Sequence, residues 1–410
     1  MSQKFQEPRS LTELVQMFPT FMCDPTAFRR EGTIGKGGFG EVWLGFEPYS
    51  SSKCAVKEMH VEELKGTTLR RFIREVETMA ICLSRFVIPI IGFSVSAPYY
   101  IFTEYCSRGS LDKYIFTSKL SPNYLQLNAI CIALGMAHIH SKGIIHRDLK
   151  CANVLLDEQF FPRICDFGLA TFEDSKRQQY CQVGTPMYMP PEMFIHEPYN
   201  HKVDVFSFGM ILYEMNECHV PWPGLDKDDI QTNICAGKRP EFRTTPSDMR
   251  KLITKCWITD PSKRPEFQQI ADDLSSFRVC FANCEKNVVT SLLNQVLEAE
   301  RKSPSALKEI APNARVKIGA VLTHLKTMPS IPLLGYNSDE DEKEVEKANL
   351  VKQLMQKDDS KVSIGPYRIS VDHKKNADIP SLVNPTNKFW IENTVLITEK
   401  IKETQYLQFY

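Results

Sequence analysis

The sequence predicts an α+β fold of two unequal halves, a small β-rich unit followed by a larger helical one. Three observations carry this. Residues 28–106 read as short, apolar, alternating stretches broken by glycines, with one helical run among them. Residues 107–280 read as long runs with helical spacing. At 410 residues the chain exceeds one compact core of ordinary size, so two or three structural units are expected.

In the first half, "TIGKGGFGEVWLGFE" places a glycine cluster before alternating Val42 and Leu44, a strand–turn–strand pattern. "KCAVKEM" is a further short strand. "TTLRRFIREVETMAICLS" is a helix with Leu69, Phe72, Val76, Met79 and Leu83 on one face. "VIPIIGFSV" and "YYIFTEYC" are two more apolar strands. A connection at residues 104–109 leads into the second half. There "SPNYLQLNAICIALGMAHIHSKG" is a long buried helix ending near Gly143, "KVDVFSFGMILYEMN" is another, and "MRKLITKCWITDPSKRPEFQQIADDLSSF" is two helices about a proline-marked turn. A cleft between two such units is where ligands tend to bind.

Residues 1–27 form an N-terminal segment and residues 281–410 a C-terminal extension, partly helical and of unassigned fold. In the extension, "VVTSLLNQVLEAERK" and "ARVKIGAVLTHLKTM" have amphipathic spacing and could pack back onto the larger half. The acidic run at 337–347 reads as a solvated linker. "KVSIGPYRISV" reads as strand. No internal repeat is visible.

Lysine plus arginine and aspartate plus glutamate both number 50, giving a formal net charge of zero. That argues against a nucleic-acid or anionic-membrane binder working through bulk charge. The 13 cysteines are odd in number, form no CxxC pair and sit mostly among apolar neighbours, as small buried hydrophobes of a reducing compartment do. The first residues hold acids and lack an apolar signal core. No run of about 18 apolar residues occurs, so no membrane span is expected. The expected compartment is the cytoplasm.

The chemistry begins in "IGKGGFGEV", where Gly35, Gly37 and Gly40 have GxGxxG spacing. Glycines let backbone N–H groups approach phosphate oxygens. Alone the pattern also suits an ordinary hairpin, and a dinucleotide site would need a helix where "EVWLGF" alternates like a strand. Lys57 follows Ala55 and Val56, so its stem can run along an apolar pocket towards phosphates. A buried cation needs a carboxylate, and Glu75 or its rival Glu77 on the predicted helix supplies one. "IIHRDLKCANVLLD" (144–157) then sets a polar loop between apolar pairs, a device for aiming side chains at a common point. Asp148 can accept or orient a hydroxyl proton, Lys150 can neutralise a phosphoryl group in flight, and Asn153 offers an oxygen. Asp166 in "RICDFGLA" offers another, and such hard oxygens suit Mg²⁺.

With "GKGGFGEV", "AVK", "HRDLKCAN", "DFG" and "PPE" in this order and spacing, the chain resembles a eukaryotic protein kinase over residues 28–280. The resemblance implies a bilobal fold, with an N-lobe at 28–106 of five strands and one helix and a helical C-lobe at 107–280. It implies ATP as phosphoryl donor, with Mg²⁺ as cofactor and Mn²⁺ able to replace it. By similarity Asp148 is the catalytic base, Lys150 its companion, Asn153 and Asp166 bind metal, and Lys57 contacts the α/β-phosphates while paired with Glu75. The ATP pocket would comprise Ile34, Gly35, Gly37, Gly38, Phe39, Gly40, Val42, Ala55, Lys57, the gatekeeper Thr103, the backbones of Glu104 and Cys106, and Leu155. Glu192 and Arg264 would form a structural ion pair. Cys54, and Pro190 in the "PPE" triplet, depart mildly from the family pattern.

Lys150 and Thr185 resemble Ser/Thr rather than tyrosine kinases, and "TEYCSRGSLDKYI" and "KCWITDPSKRPEF" are similar to the tyrosine-kinase-like group. Protein serine and threonine hydroxyls are the expected substrates. Ser175, Thr171 and Tyr180 are activation-loop phosphosite candidates, with Arg147 a potential phosphate receiver. Two other readings stay open: a pseudokinase-like signalling scaffold, and an extension that recruits unknown partners with the kinase subordinate. Neither nucleic acid nor a membrane span enters any of them.

Overall fold

The computed structural model describes residues 10–37, 40–46, 52–117, 119–173, 182–306, 361–364 and 367–370. The expectations placed on Gly38, Phe39, Ser175, Tyr180, the second extension helix at 314–328 and the acidic run at 337–347 lie outside them.

The chain begins with helix α1 (Leu11–Met17), capped by the Ser10 hydroxyl, which accepts the Glu13 N–H at 3.2 Å. Two single 3₁₀ turns follow, Pro19–Phe21 and Pro25–Ala27. Leu14, Val15, Phe21 and Met22 are buried against the N-lobe. The Cys23 N–H donates to the Phe93 carbonyl at 3.1 Å. This segment is therefore part of the N-lobe's packing.

Strands β1 (Arg29–Gly37), β2 (Gly40–Phe46), β3 (Lys53–Met59), β4 (Ile90–Phe93) and β5 (Tyr99–Glu104) form one antiparallel sheet in the order β1-β2-β3-β5-β4. Helix α2 (Gly66–Ile81) lies between β3 and β4 in sequence and buries Phe72, Ile73, Val76 and Met79. The expected apolar face is present, but the helix ends at Ile81, so Leu83 packs from the loop beyond it.

The C-lobe opens with β6 (Gly109–Ser110), the short α3 (Asp112–Ile115) and α4 (Pro122–Ser141). Strands β7 (Ile144–Ile145), β8 (Val154–Leu156), β9 (Pro162–Ile164) and β10 (Thr171–Phe172) make two small sheets, β6-β8-β9 and β7-β10. Then come α5 (Pro191–Phe194), α6 (Lys202–Glu217), α7 (Lys227–Cys235), α8 (Ser247–Cys256) and α9 (Phe267–Ser275). Helices α4 and α6 are apolar nearly all round because each runs through the lobe's interior.

The first extension helix expected is α10 (Lys286–Ala306), and it does pack back, against α4. Gln126 in α4 fastens the connection: its amide donates to the Leu274 and Val279 carbonyls at 2.8 and 3.1 Å and accepts the Phe281 N–H at 3.0 Å. Strands β11 (Lys361–Ile364) and β12 (Tyr367–Ser370) form an antiparallel hairpin where the alternation suggested strand. No helix among the described residues is long and apolar enough to cross a membrane.

Candidate active site

The sheet register places the cleft residues. Ala55 on β3 lies between Leu44 and Thr103, and Lys57 between Val42 and Ile101, so the two occupy one face of the strand. In the β1–β2 hairpin Gly35 faces Val42 and Gly37 faces Gly40. A Cβ on Gly40 would lie 1.9 Å from the Glu58 carbonyl, so only glycine lets the hairpin lie this close to β3. Ile34 beside it is 44% exposed. At the end of β5 the Glu104 N–H donates to the Pro89 carbonyl at 3.0 Å, and just beyond it the Cys106 carbonyl accepts the Gly109 N–H at 3.1 Å. Leu155 sits in β8, half-buried and packed on the main core.

Of the two acids considered for Lys57, Glu75 is the one that grips it, with Nζ 2.6 and 2.7 Å from Oε1 and Oε2. Burial works against the ammonium's charge, but the carboxylates of Glu75 and Asp166 outweigh it and hold Lys57 above its ordinary value. Burial pushes the Glu75 carboxyl up, with Lys57 opposing.

The polar loop after β7 is built on a residue that sequence reasoning passed over. Asp204, in the first turn of α6, is fully buried. Its Oδ2 accepts the His146 N–H and its Oδ1 the Arg147 N–H, at 2.8 and 2.9 Å, while His140 Nε2 lies 2.8 Å from Oδ2. Burial alone would raise this carboxyl, yet these bonds and the nearby imidazoles hold it below its ordinary value. An acid in the first turn of a largely apolar helix was the available signal. His146 Nδ1 accepts the Asp148 N–H at 3.3 Å and Nε2 donates to the Cys165 carbonyl at 3.1 Å, which fixes its tautomer. Arg147 adopts a left-handed φ of 65°. Its guanidinium donates to the Leu169 carbonyl at 2.7 Å and to the Tyr199 hydroxyl at 3.1 Å.

From this base Asp148, Lys150, Asn153 and Thr185 converge. Lys150 Nζ lies 2.8 Å from Asp148 Oδ2 and 2.7 Å from Thr185 Oγ1, and the Thr185 hydroxyl donates to Asp148 Oδ1 at 2.8 Å. Asn153 Nδ2 donates to the Asp148 carbonyl at 2.8 Å and to Oδ2 at 3.0 Å, which turns the donor end of the amide onto the loop itself. Gly184 brings the activation segment this close: a Cβ there would stand 2.5 Å from the Arg147 carbonyl, at a φ of 113° that favours glycine.

Asp166 follows β9, also with a left-handed φ, 64°. Gly168 adjoins this corner: a Cβ there would stand 3.6 Å from Asp166 Oδ1 and 3.8 Å from Glu75 Oε2, ordinary contact distances to both carboxylates. The donor set at the cleft, one carboxylate and one amide oxygen, is of the hard kind a divalent cation such as Mg²⁺ takes. The residues present fit such an ion.

Among the phosphosite candidates, Thr171 is 2% exposed in β10, paired with Ile145. This arrangement withholds its hydroxyl from a second kinase, because exposing it means breaking the β7–β10 pair. At the far side of the lobe Arg264 grips Glu192 with both nitrogens of its fork, Nη2 at 2.9 Å from Oε2 and Nη1 against Oε1.

Residues 28–274 match the family described as protein kinase domain. The chain belongs to that family. It is 32% identical over 284 residues to the serine/threonine-protein kinase STY17 of Arabidopsis thaliana, covering 66% of this chain and 50% of that one. It is 32% identical over 261 residues to the serine/threonine/tyrosine-protein kinase HT1 of the same plant, covering 60% and 65%. To the dual specificity protein kinase pyk3 of Dictyostelium discoideum it is 34% identical over 283 residues, covering 68% and 21%. The chain thus spans between about a fifth and two thirds of the length of these curated relatives. The expected likeness to tyrosine-kinase-like Ser/Thr kinases holds at the level of these relatives, and the bilobal kinase fold is the one described above.

Proposed function

We propose that this kinase domain transfers the γ-phosphoryl group of ATP to serine and threonine hydroxyls of proteins. The observation that carries the reading is the closed triangle of Asp148, Lys150 and Thr185. Asp148 accepts the incoming hydroxyl's proton or orients it in line with the γ-phosphate. Lys150, already within reach of that carboxylate, offsets charge on the phosphoryl group in transit. Lys57, held by Glu75, fixes the α/β-phosphates, and positioning rather than covalent chemistry lowers the barrier. Asn153 and Asp166 hold Mg²⁺, which when bound neutralises phosphate charge. Ser/Thr rather than tyrosine specificity is supported by the Lys150–Thr185 contact and by the printed names of the relatives, some of which are dual-specificity enzymes.

In this reading residues 28–280 are the catalytic unit, Val42, Ala55 and Leu155 enclose the adenine, and the extension at 281–410 modulates or recruits. Retention of Lys57, Asp148, Asn153 and Asp166 in working contacts favours an enzyme over a scaffold. The test is transfer from labelled MgATP with phosphoamino-acid analysis, comparing wild type with Asp148→Asn. Phosphoserine or phosphothreonine made by the wild type and lost in the variant supports the reading; phosphotyrosine alone overturns the specificity.

A further inference from the structure

Helix α10 lies beyond residues 28–274 matched to the kinase domain, yet it is bonded to the loop that follows α2. Val289, Leu293, Val296 and Glu300 recur at steps of three and four residues and so share one face. Along that face Val289 and Val296 are buried. Val296 packs with Phe86, Leu127, Cys131 and Phe161, joining α4, the loop before β4 and the turn before β9 in one apolar cluster. At the end of this stripe stands a carboxylate. Glu300 Oε1 accepts the Ser84 hydroxyl at 2.9 Å, and Oε2 accepts the Arg85 backbone N–H.

The loop at 82–89 that receives Glu300 has two further attachments. The Cys82 N–H continues the ladder of α2, the helix that carries Glu75, by donating to the Thr78 carbonyl at 2.8 Å. Phe86 and Ile88 exchange backbone bonds with Ile164, at 2.8 and 2.9 Å, two residues before Asp166. The same corner continues by charge: Arg85 lies 3.8 Å from Asp157, Asp157 pairs with Arg163 at 2.9 Å, and Arg163 reaches Glu104 at 3.3 Å.

Resting on the kinase reading above, we propose that α10 is an intramolecular strap and Glu300 a positioning residue. By fixing the Ser84–Arg85 turn from outside the kinase domain, it holds α2 where Glu75 meets Lys57. The extension then contributes to phosphotransfer through this contact, without touching ATP or substrate.

The test uses the full chain and three variants, Glu300→Ala, Glu300→Gln and Ser84→Ala, each read by steady-state transfer to a generic Ser/Thr protein substrate and by amide hydrogen exchange. Glu300→Ala is expected to lower kcat about tenfold, the scale of one charge-assisted hydrogen bond lost, with KM for the protein substrate unchanged. Exchange should speed up in α2 around Glu75 as well as at Arg85. Glu300→Gln, which keeps an acceptor oxygen, should recover part of the rate. Ser84→Ala, which leaves α10 untouched, should move both readouts the same way by less. Faster exchange at Arg85 with α2 and kcat unchanged would make the contact purely local and overturn the proposal. A folded wild type without phosphotransfer would instead overturn the kinase reading. Exchange in α2 would then decide the coupling alone, with no change in Glu300→Ala refuting it.

Discussion

Asp204 holds the polar loop after β7 by its backbone: one carboxylate oxygen accepts the N–H of His146 and the other that of Arg147. Two consecutive N–H groups thus aim at one carboxylate, and the left-handed φ of Arg147 redirects the chain immediately after them, towards Asp148. The carboxylate belongs to α6, the apolar helix through the centre of the C-lobe, so Asp148 is referenced to the most buried element of the lobe rather than to its neighbours in sequence.

Replacing Asp204 with Ala leaves two buried N–H groups without acceptors, which costs about 1–3 kcal/mol each. Asn keeps one acceptor oxygen and puts a donor against the other N–H. Asp204→Asn is therefore expected to lower kcat by at least about tenfold, with KM for ATP little changed, because the loop moves and the nucleotide pocket does not. Steady-state kinetics with a thermal melt separates this from unfolding. A variant with full kcat and lowered Tm would confine Asp204 to stability.

The Lys57–Glu75 pair yields a sharper contrast. Glu75 is placed by α2 and Lys57 by β3, so the pair forms only when helix and sheet are correctly seated. Glu75→Gln preserves shape and one acceptor but removes the charge that outweighs burial at Lys57. Phosphotransfer is expected to fall by about a hundredfold, as for loss of a group that stabilises transition-state charge, with secondary structure intact by circular dichroism. Glu77→Gln is the control. It leaves the grip on Lys57 in place, so an equal loss there would redirect attention to the packing of α2.

Much of this site was legible in the chain because its chemistry is local. The spacing of Asp148, Lys150 and Asn153, and of Asp166 with Gly168, belongs to loops a few residues long, and the side chains of Asp148, Lys150 and Asn153 do converge. The choice of Glu75 over Glu77 came from resemblance, since both adjoin the apolar face, and the geometry makes the choice. What spacing could not show was the long-range support. Asp204 lies 58 positions from His146, Glu300 lies 216 from Ser84, and nothing in a single sequence ties such pairs together. The N-terminal helix was missed for a related reason. Its apolar positions Leu11, Leu14, Val15 and Phe18 do follow the spacing of one helix face, but the run covers only about two turns, too short to stand out without the lobe beneath it that buries Leu14 and Val15.

Arg264 tests whether a fork can be replaced by a point charge. It is fully enclosed, holds Glu192 with two nitrogens and donates as well to the carbonyls of Ile258, Lys202 and Thr259. Lysine cannot make that set of contacts. Arg264→Lys is expected to destabilise the C-lobe by about 3–5 kcal/mol, the scale for breaking a buried pair, read as a lower urea midpoint at unchanged m. A shift of under about 1 kcal/mol, as for an exposed pair, would mean the lobe relaxes around the change.

Glu214 in α6 makes stability depend on pH in the opposite sense from the depressed carboxyl of Asp204. It is fully buried, and both its oxygens lie 2.8 Å from the Tyr188 hydroxyl. Burial pushes its carboxyl from 4.5 up to about 7; the hydrogen bonds from Cys151 and Tyr188 oppose this, and the Asp112 charge adds to it. Between those two values the folded chain retains a proton that the unfolded chain has released. Stability is therefore expected to fall as pH rises from about 4.5 to about 7, and to level off above. The fall amounts to about 3 kcal/mol, from a shift of about two and a half pH units. Glu214→Gln keeps the size of the side chain and cannot ionise, so this component should vanish from it. Urea unfolding of both proteins at closely spaced pH values isolates the effect, because every other titrating group cancels in the difference. A difference that is flat across that window would mean the Glu214 carboxyl titrates as an ordinary one, with the Tyr188 and Cys151 hydrogen bonds fully compensating its burial.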